Sequence, residues 1–283
     1  MATTSPSNRI TVYEPTVTGL PPLRQYAANV WSRRQLVWHL ARTDMKAQHY
    51  DTTMGIVWLV VDPLLMAATF YLIRSVLGGS TDATRNSFLI AHLIMGVLFF
   101  YFVRDIVVGV ANSIVANKVI ILNTSAPRGA FPAVSVVRAL FDLIPALIVY
   151  FFFHLIMRQP WGLSLLLLPL VIAGLGLFSV GLGLFFAPLV VFFKDFGTLL
   201  PYIVRIWMYI TPVMFAVAEV PNSLRPVFLA NPLYPFFAML EEIFSGQMVS
   251  FGYVVAGLAW VVVSLTVGSV FFLLRERDYA VRL

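Results

Sequence analysis

The chain has 283 residues, of which 60% are hydrophobic and only 11% are charged, and its mean hydropathy is +0.87. A water-soluble domain carries roughly 45–50% apolar and about 25% charged residues, so this composition excludes an ordinary soluble domain. The formal net charge of +6 is spread over segment ends without a basic face rich in aromatic residues, so we expect no nucleic-acid partner. Cysteine is absent, which excludes disulfides, thiolate metal sites and a cysteine nucleophile.

The N-terminal part of the chain divides into a polar tail and an amphipathic helix. Residues 1–22 are rich in Thr, Ser and Pro, which is typical of a mobile or loosely docked tail and too polar for a signal peptide. Residues 23–50 have helical spacing, and Ser32 with Gln35 three residues later predicts a capped helix start. We predict a helix lying in the membrane interface, with a cytoplasmic helix packed on a partner as the alternative. Its apolar stripe is Leu36, Val37, Leu40 and Ala41.

Six long apolar segments follow, and each is close to the twenty or so residues that a helix needs to cross about 30 Å of hydrocarbon. Most Lys and Arg residues fall in the N-terminal part, in alternate loops and at the C-terminus, so both termini are predicted to be cytoplasmic. The sequence therefore predicts an all-α polytopic protein of the plasma (inner) membrane, with a six-helix transmembrane domain over residues 51–283. In the fourth segment Ser179, Gly183 and Ala187 form a row of small residues that predicts close helix packing. The segments are residues 55–77, 88–112, 132–157, 163–192, 198–217 and 250–274.

Two connections between these segments have unusual compositions. The cytoplasmic loop of residues 112–132 carries an apolar patch at residues 119–122, which predicts a short helix that docks on another protein. The outer segment of residues 219–246 contains four prolines and two apolar pieces that are too short to cross a bilayer. We expect these pieces to form re-entrant helices between spans five and six, packed against protein or water. Asn231 before Pro232 is a suitable helix start within this segment.

Charged residues lie inside four of the predicted spans, about 10 Å from the cytoplasmic end. Charges in lipid are costly, so one interpretation is a belt of ion pairs between helices, in which three acids and three arginines cancel. The functional hypothesis is that one or more of the arginines meets the phosphate of a lipid-linked substrate. Nearby aromatic rings offer faces over which sugar rings can slide. The substrate-path candidates are Arg104, Arg138, Arg205, Asp62, Asp105, Asp142, Tyr202 and Trp207.

The motifs that would indicate catalysis are missing from this sequence. None of the lysines, Lys46, Lys118 and Lys194, follows a glycine, so the phosphate loop G-x-x-x-x-G-K-[ST] is absent. The four histidines are scattered, and no H-E-x-x-H, Asp-x-Asp or G-x-S-x-G pattern occurs. We therefore expect a protein that is not an enzyme, with no catalytic residues, no metal and no cofactor of its own.

Four stretches, in chain order, resemble the permease subunits of ATP-binding-cassette exporters for polysaccharides. Such exporters handle O-antigen, capsule, teichoic acid or galactan, and the long N-terminal extension looks most like actinobacterial galactan exporters. The stretches are Asp44, Lys46, Gly55, Trp58 and Asp62-Pro63-Leu64, then Lys194-Asp195-Phe196, then YITPVMF at residues 209–215, and then NPLYPF at residues 231–236.

This resemblance implies a homodimeric channel of six spans per subunit that is driven by two copies of a separate ATPase. It implies that the cargo is a lipid-linked polysaccharide, which is exported to the outer face, and that the subunit also contacts membrane lipids. By resemblance, residues of the N-terminal helix and of the 112–132 loop contact the ATPase, and residues of the Pro-rich segment form an outer gate. The implied ATPase contacts are Arg42, Lys46, Asn117, Lys118 and Ile120, and the implied gate residues are Asn231, Pro232, Tyr234 and Phe236.

Two other classes of membrane protein are alternatives. A stand-alone ion-coupled transporter would carry an inverted internal repeat and acidic groups at the middle of the bilayer, and the sequence shows neither. A membrane-embedded glycan transferase would carry a carboxylate–metal site on the cytoplasmic side, which is not visible either. Co-purification of an ATPase subunit distinguishes an exporter from both alternatives.

Overall fold

The computed structural model describes residues 22–50, 53–78, 83–124, 126–220, 227–228 and 230–282, and these residues form helices without β-strands. The predicted all-α fold is therefore confirmed. Residues 1–21 of the predicted tail and residues 221–226 and 229 of the outer segment lie outside the described residues. The helices are α1 Leu23–Ser32, α2 Arg34–Tyr50, α3 Trp58–Gly78, α4 Ala83–Ala116, α5 Lys118–Asn123, α6 Ala130–Ile156, α7 Leu168–Phe192, α8 Lys194–Ile210, α9 Tyr234–Phe244, α10 Phe251–Arg275 and α11 Tyr279–Arg282, with 3₁₀ turns at Gly55–Val57, Leu163–Leu167, Val217–Glu219 and Glu276–Asp278.

Five helical segments in the described part of the chain are long and apolar enough to cross a membrane. They are Trp58–Val76, Ser87–Ala116, Ala130–Ile156, Leu163–Phe192 and Phe251–Arg275. The segment predicted at residues 198–217 is helix α8, whose 17 residues extend about 25 Å and stop at Ile210. Its predicted outer end is wrong because Thr211 is extended before Pro212, as residues that precede proline prefer. The count of six spans stays a prediction.

Helix α4 lies at the centre of the bundle. It packs against α3, α6, α7 and α8, and every residue from 91 to 100 is buried. The small residues Ser179, Gly183 and Ala187 of α7 are also buried, and a Cβ at Gly183 would lie 2.7 Å from the Cβ of Val110 on α4. The predicted row of small residues thus lies in the core, where Gly183 faces α4.

Helices α7 and α10 approach each other closely at two glycines, where a built Cβ comes nearer to a neighbouring atom than at any other described glycine. A Cβ built on Gly268 of α10 would lie 1.9 Å from the carbonyl oxygen of Gly181 on α7. Likewise, a Cβ on Gly181 would lie 2.4 Å from the carbonyl carbon of Ser264. Helices in lipid gain stability chiefly from close van der Waals packing, so this pair of glycines fixes how closely α7 and α10 approach.

The predicted amphipathic helix is broken at Arg33 into α1 and α2. Ser32 is the last residue of α1, and its hydroxyl donates to the carbonyl oxygen of Asn29 at 2.7 Å. The predicted capping by Ser32 with Gln35 is therefore wrong, because a serine hydroxyl inside a helix can bond to the preceding turn instead.

The apolar stripe of α2 packs against the protein's own helix α6. Val37 and Ala41 are buried against Ala130 and Val134 of α6. The Trp38 ring meets the Phe141 ring edge-on, with centroids 5.0 Å apart. The partner of this stripe is thus another part of the same chain, while the placement of α2 at the membrane surface stays a prediction.

Three distant chain segments meet at one end of the bundle. The Tyr26 hydroxyl of α1 donates to Glu276 Oε1 at 3.1 Å and accepts from the N–H of Gly129 at 2.9 Å. Arg128 donates to the carbonyl oxygen of Glu276, and burial raises the pKa of the Glu276 carboxyl above its usual value. We call this the N/C end, because both terminal helical segments reach it, and we call the opposite end, where α9 lies, the far end.

The glycine contact between α7 and α10 gives a direct test of the packing. We expect Gly268→Ala to destabilise the protein by about 2 kcal/mol or more, because its methyl group overlaps the carbonyl of Gly181. The control is Gly252→Ala on the same helix, where an added Cβ meets no atom within 4 Å. Thermal unfolding in detergent, followed by size-exclusion chromatography, measures both variants, and equal unfolding temperatures would contradict the packing.

Candidate functional site

A cavity of about 320 Å³ lies between α3, α4 and α6 and contains most of the charged residues that the sequence places inside the spans. The lining comes from the first turns of α3 and from the middle of α4 and α6. Trp58 and Tyr101 contribute aromatic walls. We call this space the charged cavity, and its charged lining residues are Asp62, Arg104, Asp105, Arg138 and Asp142.

The two arginines of the charged cavity face carboxylates on their own helices. Arg104 Nε donates to Asp105 Oδ1 at 2.9 Å, and the Arg104 guanidinium carbon lies 3.8 Å from the centroid of the Tyr101 ring. Arg138 Nε lies 3.9 Å from Asp142 Oδ2, one helical turn further along α6. The predicted closeness of Arg138 and Asp142 is confirmed. Both of these ion pairs lie within one helix, and pairing between helices, as the belt interpretation proposes, stays a prediction.

The charges around this cavity do not cancel. Three carboxylates and two guanidinium groups line it, which leaves one net negative charge when all are ionised. Arg205, which the sequence analysis counted in the same belt, is exposed on α8 and does not line the cavity. The six residues therefore do not share one cavity in the described part of the chain, and their arrangement at one depth in the membrane stays a prediction.

The substrate-path candidates on α8 have different surroundings. Tyr202 is 58% exposed, and Arg205 is exposed near it on the same helix. Trp207 is half-buried, and its indole Nε1 donates to Asn231 Oδ1 at 3.0 Å. Trp207 therefore holds the outer segment in place in this conformation, whereas Tyr202 and Arg205 lie on an open face.

Asn231 connects the end of α8 to the segment that leads into α9. Its side-chain oxygen accepts from Trp207 Nε1 and from the N–H of Leu233. Its amide nitrogen donates to the carbonyl oxygen of Ile210 and to Thr211 Oγ1, both at 3.2 Å. A buried asparagine can make at most about four such bonds, so its side-chain capacity is filled. Helix α9 begins at Tyr234, two residues later than the predicted first helical residue Pro232, because Asn231 closes a turn before it.

The other predicted gate residues are mostly core residues in this conformation. Tyr234 and Phe236 are nearly fully buried, and Pro232 is half-buried. The Phe236 ring lies 5.7 Å from that of Phe178 on α7, and α9 also packs against α10 and the Leu163–Leu167 turn. The role of these residues as an outer gate stays a prediction.

The sequence analysis missed a polar cluster that holds residues 211–219 at the far end. Arg74 of α3 donates to the carbonyl oxygen of Met214 at 2.8 Å and also to Glu219. Glu241 of α9 accepts from the N–H of Val217 at 2.9 Å. Burial alone would raise the pKa of Glu219, but hydrogen bonds from Arg74 and from the N–H of Ala216 lower it. Arg74 and Glu219 carry opposite charges at the ends of the first and fifth predicted spans, and this was the signal available in the sequence.

The predicted ATPase contacts lie at the N/C end and on α2. Arg42 and Lys46 are exposed on α2, and Lys118 is exposed at the start of α5. Asn117 Nδ2 donates to the carbonyl oxygen of Ser113 at 2.9 Å, and Ile120 is half-buried. The side chains of Val119 and Leu122 are 65% and 55% exposed. Ile121, in contrast, packs with Phe272 and Tyr279, so α5 is anchored on one face and open on the other.

Comparison with known proteins adds two findings. The sequence pattern of the ABC-2 type transporter family matches residues 35–245, which is well over half of the chain and includes the charged cavity, α5 and Asn231. Two proteins of Klebsiella pneumoniae, each described as an O-antigen export system permease protein RfbA, are 23% and 22% identical to this chain over 221 residues. Each alignment covers 76% of this chain and 82% of the relative.

Asn231 offers a test of how the far end is held together. We expect Asn231→Ala to cost about 1–3 kcal/mol of stability, because it leaves the indole N–H of Trp207 and the N–H of Leu233 without their acceptor. The matched control is Asn123→Ala, since Asn123 is exposed and makes a single hydrogen bond within α5. Thermal unfolding compares the two, and a loss no greater at Asn231 than at Asn123 would contradict this role.

Proposed function

This chain belongs to the ABC-2 type transporter family, and we propose that it is the channel-forming permease subunit of an exporter that carries a lipid-linked polysaccharide out of the cytoplasm. The observation that carries this proposal is the similarity to two O-antigen export permeases over 76% of the chain. The five long apolar helices fit a multi-pass protein of the inner membrane.

A separate ATPase supplies the energy in this proposal, with two copies for each transporter. The sequence carries no phosphate loop, so nucleotide hydrolysis has to come from a partner. Helix α5 is a suitable contact, because Val119 and Leu122 offer an apolar surface beside the basic side chain of Lys118. The positive-inside distribution supports placing the N/C end, and therefore α5, in the cytoplasm.

A second copy of the chain completes the channel in this proposal. Arg205 is exposed in the middle of α8, and a charge that faces lipid at such a position is costly. That cost is removed when the face that carries Tyr202 and Arg205 borders a water-filled channel or another subunit. A homodimer in which the α8 faces flank the channel satisfies this requirement.

The contacts of α5 suggest how movement of the ATPase would reach the channel. Helix α5 follows α4 after Asn117 alone, and Ile121 packs against Phe272 at the end of α10. A push on α5 therefore acts on α4, which carries Arg104 and Asp105 of the charged cavity. At the far end, Asn231 ties α8 to the start of α9, so we propose this segment as the outer gate.

Galactan is the substrate that we propose, with teichoic acid, O-antigen and capsule as alternatives. The support is the likeness of the long N-terminal extension to actinobacterial galactan exporters. The same resemblance supports a lipid-linked glycan as the substrate. The lipid anchor would bring the glycan to the membrane.

Reconstitution tests the proposed function. The chain is placed in proteoliposomes with and without its co-expressed ATPase, and delivery of lipid-linked glycan to the opposite leaflet is measured. We expect delivery only with the ATPase and ATP. Delivery by this chain alone, driven by an ion gradient, would favour the ion-coupled transporter, and sugar transfer without an ATPase would favour the glycan transferase.

The exposed face of α5 gives a second prediction. We expect Leu122→Glu to reduce ATPase co-purification about tenfold or more, because a charge replaces apolar contact area worth at least about 1.4 kcal/mol. The control is Met248→Glu, at an 86% exposed apolar residue of the far end that lies outside the membrane-crossing segments. If both variants retain the ATPase equally in pull-down experiments, α5 is not the docking surface.

A further inference from the structure

We propose that the charged cavity binds sugar residues of the transported glycan through their hydroxyl groups, and does not bind the phosphate of the carrier lipid. This inference rests on the proposed function, since it assigns a chemical part of that substrate to one site. It replaces the phosphate hypothesis that the isolated arginines suggested, because the structure shows what surrounds them.

The charge of the cavity argues against a phosphate. Three carboxylates outnumber two guanidinium groups, so an anion entering the cavity meets one net negative charge when all five groups are ionised. Arg104 and Arg138 also stand 2.9 Å and 3.9 Å from carboxylate oxygens on their own helices. A phosphate would have to compete with these carboxylates for the guanidinium groups, and the carboxylates would repel it as a like charge.

Sugar hydroxyls, in contrast, match the chemistry of the walls. An ionised carboxylate only accepts hydrogen bonds, and a guanidinium group only donates them. A hydroxyl group does both, so it can donate to a carboxylate such as Asp105 while accepting from its neighbour Arg104. Hydrogen bonds to charged groups are stronger than those between neutral groups. The ionised side chains of the cavity can therefore bind a polyol although the polyol itself is uncharged.

The size and the aromatic walls point to the same class of ligand. A cavity of about 320 Å³ lies at the lower end of the range for small-molecule sites, which suits a monosaccharide unit rather than a long segment. Trp58 lines it and is 44% exposed, so its indole face is open to the apolar C–H face of a sugar ring. Phe102 also lines the cavity but is buried. The Tyr101 ring already carries the Arg104 guanidinium, which leaves Trp58 as the stacking residue.

Asp62 distinguishes the two ligands by the sign of the effect. It is the exposed carboxylate of the three, and its removal brings the cavity to a net charge of zero. If sugar hydroxyls are the ligand, Asp62→Ala removes a charged acceptor and weakens binding. If phosphate is the ligand, the same change removes a repulsive charge and strengthens binding.

The experiment measures binding to the full chain in detergent by native mass spectrometry. The probes are neutral oligosaccharides of galactose, mannose and rhamnose, and undecaprenyl monophosphate, which carries no sugar. We expect Asp62→Ala and Trp58→Leu each to weaken binding of the oligosaccharide on the order of tenfold and to leave binding of the phosphate lipid unchanged. Tighter binding of the phosphate lipid by Asp62→Ala, or no oligosaccharide binding by the unmodified chain, would overturn the proposal.

Asp195→Ala serves as the control variant, because Asp195 is exposed at the start of α8 and lies outside the cavity. Thermal unfolding confirms that all three variants fold, and Asp62→Asn replaces Asp62→Ala if the latter does not.

Export with the ATPase separates the proposed sugar site from the proposed function of the chain. If Asp62→Ala loses oligosaccharide binding but exports normally, the cavity is not on the route, although the proposed function stands; if the unmodified chain exports nothing, the proposed function itself fails.

Discussion

The burial of α4 is the constraint on which the rest of the structure depends. Four helices surround it, and its buried stretch from residue 91 to 100 ends just before Arg104 and Asp105. Lipid cannot solvate such charges, so they have to face a space that packed helices leave open. Because α3 and α6 leave that space beside α4, the charged cavity lies where the tight packing around α4 ends.

The spans could be predicted from the sequence because lipid demands long apolar helices, and hydropathy reports this requirement locally. The small residues Ser179, Gly183 and Ala187 also indicated a packed face, since their spacing is visible on one helix. The contact between Gly181 and Gly268 was not predictable in this way, because it pairs two helices that are far apart in the chain. The early end of α8 likewise depends on Thr211 and Pro212, which a hydropathy average does not weigh.

The individual residues of the candidate site were visible in the sequence, but their grouping was not. Asp62, Arg138 and Asp142 share a cavity with the α4 pair, while Arg205 does not, because the rotation of each helix about its axis decides which face a charge occupies. Asn231 was expected to begin a helix, and its bonds to Trp207, Ile210 and Thr211 were missed. Those partners lie at least twenty residues earlier, beyond the range of any capping motif.

The central proposal is that a partner ATPase drives this membrane subunit from the cytoplasm, at its N/C end. The chain lacks cysteine, so single-cysteine variants at exposed positions 123, 278 and 247 can be labelled with a membrane-impermeant thiol reagent in intact cells. We predict that Asn123→Cys and Asp278→Cys react only after the membrane is opened, whereas Gln247→Cys reacts directly. Labelling that places Asn123 and Asp278 on opposite sides of the membrane, or both outside, would contradict the account.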